Sequence, residues 1–174
     1  MRRRGLALGV AVGLGACRTA APAEGPPASG SRFPDAANIA IMTDGDSLPR
    51  PERLTGGPQY PVKLRNGRIS GQLAVAFVVD TTGRVEPASI SFVLPPAHAE
   101  FQESVCTFLI DRARFVPGRT NGRPRRTLVF VPFAFTVSFG APLGPRPNVK
   151  AMQEHARALP RDQLVAELES DPHC

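Results

Sequence analysis

The chain has no tryptophan, one tyrosine, three histidines and three cysteines in 174 residues. His98, His155 and His173 stand at no metal-ligand spacing to the cysteines or to carboxylates, so no metal site and no cofactor is expected. No glycine-rich phosphate loop, nucleophile elbow or Ser/His/Asp arrangement occurs, and the protein is not expected to be an enzyme. Three cysteines are too few for a disulfide-dense scaffold. No apolar run reaches the roughly 20 residues that a membrane-spanning helix needs, which excludes a polytopic membrane protein. Proline (19) and glycine (16) fall short of a collagen-like content, yet they predict long stretches outside the core. What aromatic content there is concentrates: nine of the ten phenylalanines lie between Phe77 and Phe139, and that locates the globular part.

The N-terminus reads as an address. Arg2, Arg3 and Arg4 precede an apolar run from Gly5 to Ala16, followed by Cys17. This is the positive and then hydrophobic layout of a signal peptide. The ending Leu14-Gly15-Ala16-Cys17 is similar to a bacterial lipobox, in which the cysteine is acylated and becomes the first mature residue. Residues 1–16 are therefore expected to be removed, Cys17 to carry lipid, and the mature chain to sit in the periplasm on a membrane surface. Arg18 in place of aspartate favours the outer over the inner membrane. The formal charge of +6 loses three arginines and no acid with the signal, so part of the basic character is targeting. In an oxidising compartment Cys106 and Cys174 remain, either as a disulfide or as two separate thiols.

Residues 17–46 are rich in Ala, Pro, Gly and Ser and read as a flexible tether. Within it, Ile39-Ala40-Ile41-Met42 has the composition of a local strand or docking segment, and Asp44-Gly45-Asp46 that of a turn. The domain proper spans 47–139. Its first strand, Ile69 to Asp80, alternates Leu73, Val75, Phe77 and Val79 against Ala74, Ala76 and Val78. Thr81-Thr82-Gly83 turns the chain into a second strand, Arg84 to Val93. Ala97 to Ala113 has helical spacing, with Phe101, Val105 and Phe108 on one stripe. A third strand runs from Leu128 to Phe139, and Pro132 marks it as an edge strand because proline cannot donate to a ladder. Residues 140–174 form a proline spacer and amphipathic helices that pack on the domain or on a partner. Arg112, Arg114, Arg119, Arg123, Arg125 and Arg126 cluster within a short span, read either as a face for an anionic partner or as a solvated basic loop.

Pro58-Gln59-Tyr60-Pro61, Gly71 opening a strand, Asp80-Thr81-Thr82-Gly83-Arg84-Val85, Arg114-Phe115-Val116-Pro117-Gly118 and Phe133-Ala134-Phe135 occur in that order over residues 48–138. Together they resemble the C-terminal domain of TonB-family proteins. The resemblance implies an α+β fold, a small three-stranded antiparallel sheet packed by helices. It also implies a partner, the TonB box peptide of an outer-membrane transporter, held by β-augmentation along an exposed edge strand. Carried onto this sequence, the edge is 128–137, with Leu128, Val129, Phe130, Val131, Phe133, Ala134 and Phe135 in contact and Gln59 and Tyr60 beside it. Energy-transducing members carry a transmembrane helix, whereas this chain shows a lipobox, which sets energy transduction apart from peptide binding. The alternative is a structural envelope lipoprotein that links membrane, cell wall or a protein complex. Nucleic acid is not an expected partner in that compartment.

Metabolic labelling with a fatty-acid analogue should mark the wild-type protein and leave Cys17→Ser unlabelled; equal labelling of the two would refute acylation at Cys17.

Overall fold

The computed structural model describes residues 30–41, 47–52 and 56–174, so Cys17 and Asp44-Gly45-Asp46 lie outside the described residues. The strands are β1 (Ala40–Ile41), β2 (Arg50–Pro51), β3 (Gly71–Val79), β4 (Ser91–Leu94), β5 (Phe115–Val116), β6 (Arg119–Thr120), β7 (Arg123–Pro124) and β8 (Thr127–Phe135). The α-helices are α1 (Val62–Asn66), α2 (Ala99–Thr107), α3 (Val149–Ala158) and α4 (Arg161–Ser170). The main sheet has four strands in the order β1-β8-β3-β4, and β1 runs parallel to β8. The expected three-stranded antiparallel sheet is thus corrected: a fourth strand comes from the segment read as tether.

The ladder between β3 and β8 pairs Gly71 with Phe135 through Val79 with Thr127, without a break. Side chains alternate across a strand, so this register sorts the residues of both strands onto two faces. Leu73, Val75, Phe77 and Val79 join Val129, Phe135, Phe101, Val105, Phe108 and Leu109 in one core. Ala76, Val78, Leu128 and Phe130 join Phe33, Ile39, Ala156, Leu164 and Leu168 in another. The second face, which looked merely small and half-apolar in sequence, is covered by α3 and α4. Ser89 and Ser91, which alternate with Ile90 and Phe92, are buried. Ser89 Oγ accepts from Val78 N–H and donates to Glu86 C=O, while Ser91 Oγ donates to Leu168 C=O.

The expected second strand, Arg84 to Val93, is shortened. Val85 makes a single bridge to Val79, residues 87–89 form a 3-10 turn, and only Ser91–Leu94 is strand, with a bulge against β3. α2 passes into a π turn over Phe108–Arg112, where Ala113 N–H donates to Phe108 C=O. The extra residue in that turn leaves both Phe108 and Leu109 buried. The third strand ends at Phe135 rather than Phe139, and Phe139 is exposed.

Two glycines are required where they stand. A Cβ on Gly71 would lie 2.4 Å from the Phe101 ring, which stacks on Phe135 at 4.5 Å. Gly83 has φ +87°, and a Cβ there would meet the Phe115 carbonyl oxygen at 1.8 Å. The turn before it is held by Asp80, whose carboxylate accepts from Thr82 N–H, Thr82 Oγ1 and Arg84 N–H. Burial raises the Asp80 pKa, but the hydrogen bonds from Thr82, Arg84 and Gly83 outweigh it and hold the carboxyl below its ordinary value.

Residues 31–41 and the C-terminal tail are both strapped to the sheet. Residues 31–41 dock instead of trailing: Phe33 and Ile39 are buried, and Arg32 donates to Leu168 C=O at 2.5 Å and to Ile90 C=O at 3.2 Å. At the other end Phe92 N–H donates to Pro172 C=O, and His173 bridges Ser91. A Cys106–Cys174 disulfide pins this tail to α2 across a separation of 68 residues. Phe33→Ala should destabilise the protein by about 3–5 kcal/mol, the usual cost of truncating a buried phenylalanine; a denaturant midpoint unchanged from wild type would show that the strap is not part of the core.

Candidate functional site

The outer edge of β8 is built by strand parity. In an antiparallel pair the backbone groups of alternate residues point toward the neighbouring strand, and those between point away. Glu86 N–H donates to Val78 C=O and Val78 N–H to Ser89, so the even-numbered residues of β3 direct their backbone toward β4. Their partners on β8 carry even numbers as well: Leu128 opposite Val78, Phe130 opposite Ala76, Pro132 opposite Ala74 and Ala134 opposite Gln72. These four residues therefore turn their backbone groups outward. Pro132 fits β3 because no ladder bond to β3 is asked of its nitrogen. The missing donor falls on the outer edge.

That edge is not open along its whole length, which corrects the expectation of a free edge from 128. β1 covers its start, pairing Ala40 with Thr127 and Ile41 with Leu128, and Ala40 N–H donates to Arg126 C=O at 2.7 Å. Beyond β1, among the described residues, Phe130 offers N–H and C=O, Pro132 offers C=O, and Ala134 offers N–H and C=O. The side chains of Leu128, Val129, Phe130 and Phe135 belong to the two cores, so only their backbones can meet a partner. Val131 and Phe133 are half-buried, whereas Pro132 and Ala134 are exposed.

Gln59 and Tyr60 lie over the face carrying the odd-numbered residues. Tyr60 packs edge-on against Phe101 and Phe135, with ring centroids 5.7 and 5.5 Å away, and its hydroxyl donates to Ile69 C=O. The Gln59 carbonyl accepts from Ser104 Oγ on α2. With Phe108 and Arg112 these residues line a groove of about 610 Å³ along α2. Tyr60 is thus a packing residue at the end of β8, and Gln59 sits at the groove rather than in line with the outward backbone groups.

The arginine cluster is largely committed internally. Arg112 donates to Gly57 C=O and lies 5.9 Å from the Phe108 ring centroid. Arg119 donates to Gly122 C=O, and Arg114 to Ala113 C=O. Arg126 forms a two-pronged pair with Glu86 at 2.6 and 2.7 Å, which raises the Arg126 pKa above its ordinary value. The same guanidinium reaches Pro34 C=O, so it fixes the start of β8 against the N-terminal strap. Arg123 and Arg125 remain exposed, presented by the short hairpin whose turn, Asn121-Gly122, has both residues at positive φ. Among the described residues no group of three or more His, Cys, Asp or Glu could hold a metal ion, and no helix is long and apolar enough to cross a membrane.

The apolar run Ile39-Ala40-Ile41-Met42 carries the signal for a strand, and Ala40–Ile41 is one, but its partner on β8 lies more than 80 positions away and has no local signal. The same holds for Arg126, which belongs to the basic cluster in sequence and pairs with Glu86 only in the fold.

Residues 56–137 match the family described as Gram-negative bacterial TonB protein C-terminal. The matched segment holds β3, β4, α2 and β8, and leaves out β1, α3 and α4. A solved structure, the solution NMR structure of Pseudomonas aeruginosa TonB CTD, is similar at 26% identity over 53% of this chain and 90% of that chain, with a TM-score of 0.41. No curated protein matches the chain.

The parity of β8 can be checked on stability alone. Ala134→Pro removes an N–H that β3 does not use and should leave the denaturant midpoint close to wild type. Val131→Pro removes one that faces Val75 and should destabilise by about 3 kcal/mol or more. Equal losses in the two variants would show that the outward assignment is wrong.

Proposed function

We propose that this chain, residues 56–137 of which match the TonB C-terminal family, is a lipid-anchored periplasmic module that captures the TonB box of an outer-membrane transporter by β-augmentation. The observation that carries this reading is the row of outward backbone groups on Phe130, Pro132 and Ala134, continuing the line that β1 begins. An incoming strand completes these groups, and backbone pairing supplies affinity with little demand on sequence. Pro132 and Ala134 add a small exposed surface beside the strand, while the half-buried Val131 and Phe133 limit side-chain readout on the other face. The short edge favours a short peptide bound weakly enough to exchange.

This reading concerns peptide binding and assigns no energy transduction to the module. Cys17 as a lipid anchor places it at a membrane surface, with the outer membrane favoured. A second reading, a structural envelope lipoprotein, draws support from the partial cover of both sheet edges by the chain's own segments, residues 40–41 on β8 and the C-terminal tail on β4. Such cover is what a protein uses to avoid strand pairing with others.

Titration of a fluorescent TonB-box peptide, taken from a TonB-dependent transporter of the same genome, into the purified full-length protein separates the two. The wild type should bind and a folded Ala134→Pro variant should lose at least about tenfold in affinity, since it leaves Phe130 as the one outward donor beyond β1. Unchanged affinity in the variant would move the site away from β8, and no binding by any form of the protein would favour the structural reading.

A further inference from the structure

The strap that closes β8 is held in two unequal parts. From Ser31 to Ile39 it is clamped. Phe33 is 3% exposed and Ile39 is 4% exposed, Ser31 Oγ and Arg32 N–H both donate to Glu169 Oε1, and Arg32 and Arg126 grip backbone carbonyls on either side. Past Ile39 the hold is weaker. Ala40 and Ile41 are half-buried, their backbone pairs with Thr127 and Leu128 alone, and Ile41 packs on the margin of the second core. The strap also lies outside the family segment, whereas the edge it covers lies within it.

We propose that Ala40–Ile41 is a built-in strand occupying the start of the partner edge, and that a TonB-box-type peptide gains full access only when these residues peel away while the clamp stays in place. The inference rests on the docking reading above and assigns its regulation. The parallel pairing of Ala40 with Thr127 uses the outward groups flanking Thr127, namely Arg126 C=O and Leu128 N–H. With β1 in place a partner finds the N–H groups of Phe130 and Ala134, separated by the gap at Pro132. Release adds Leu128 N–H and makes an uninterrupted stretch from Arg126 to Phe130. The proline gap explains why the first part of the edge matters: beyond Phe130 a ladder is already broken. Peeling β1 exposes two half-buried residues and gives up the Ile41 packing on the second core, whereas Phe33 and Ile39 are buried, so the clamp can serve as the hinge. Any load on the chain N-terminal to the strap is held by the clamp first and reaches β1 only through it.

Ala40→Pro tests this directly. Proline has no N–H for Arg126 C=O, and Ile39 already has the extended conformation that a following proline requires, at φ −85° and ψ 119°. Ile41→Asp is the second variant, opposing β1 through side-chain burial without altering the backbone. Both are measured in the full-length protein, by hydrogen exchange of the Leu128 amide and by titration with the fluorescent TonB-box peptide. The expected result is faster Leu128 exchange in each variant and peptide affinity about fivefold higher, the effect of one freed hydrogen bond. Binding by the variants with none by the wild type also supports the proposal. Wild-type binding with unchanged or weaker affinity in both folded variants overturns the occupancy of the edge by β1 and leaves the docking reading standing. Absence of binding in all three proteins overturns both.

Discussion

The structure depends on the antiparallel ladder between β3 and β8. It is the only long strand pair among the described residues, running the full length of both strands. Because side chains and backbone groups alternate with the same period, one register settles two sortings at once. It sends Phe77 and Val129 toward α2 and sends Val78 and Phe130 toward α3 and α4. It also points the backbone of Phe130 and Ala134 away from the sheet and gives Pro132 a position where its missing N–H costs β3 nothing. A slip of one residue would put Pro132 into the ladder and reverse both cores together.

The cost of such a sheet is at its edges, where unpaired backbone groups invite other strands. This protein covers part of each with its own segments. The N-terminal strap lies along β8 and the C-terminal tail along β4, the latter held by the Cys106–Cys174 bond. The two covers differ in kind. The tail is fixed covalently to α2, and a disulfide closing so long a loop limits the freedom of the unfolded chain. The strap is fixed by burial and hydrogen bonds as far as Ile39 and by two residue pairs and the partial packing of Ile41 beyond it. A partner site is therefore more natural on the β8 side than on the β4 side, and the family segment and the strand parity lead to the same strand.

The proposed docking draws on backbone more than on side chains. Leu128, Val129, Phe130 and Phe135 were expected to meet a partner, but each spends its side chain on a core. What is left for recognition is the direction of N–H and C=O groups plus the small surfaces of Pro132 and Ala134. The arginines behave similarly. Arg126 and Arg112, which look like a basic face in the sequence, are held by Glu86 and by Gly57 C=O and Phe108, and they serve to position the ends of β8 and of the π turn.

Period and composition were sufficient for the local elements. The alternation of Leu73 through Val79, the helical stripe of Phe101, Val105 and Phe108, the turn at Gly83 and the amphipathic tail all follow from rules that act over a few residues. The order of short motifs from Pro58 to Phe135 was enough to identify the family. The pairing of Ala40 with Thr127, the burial of Ser89 and Ser91, and the side of β8 on which Pro132 lacks a donor could not be read in the same way. Each depends on a contact between segments distant in the chain, or on a register that is even or odd only once two strands have met. The sequence carries the alternation within each strand; which phase faces a core, and which faces a partner, is decided when β3 pairs with β8 and residues 31–41 and the C-terminal tail come to rest on the sheet.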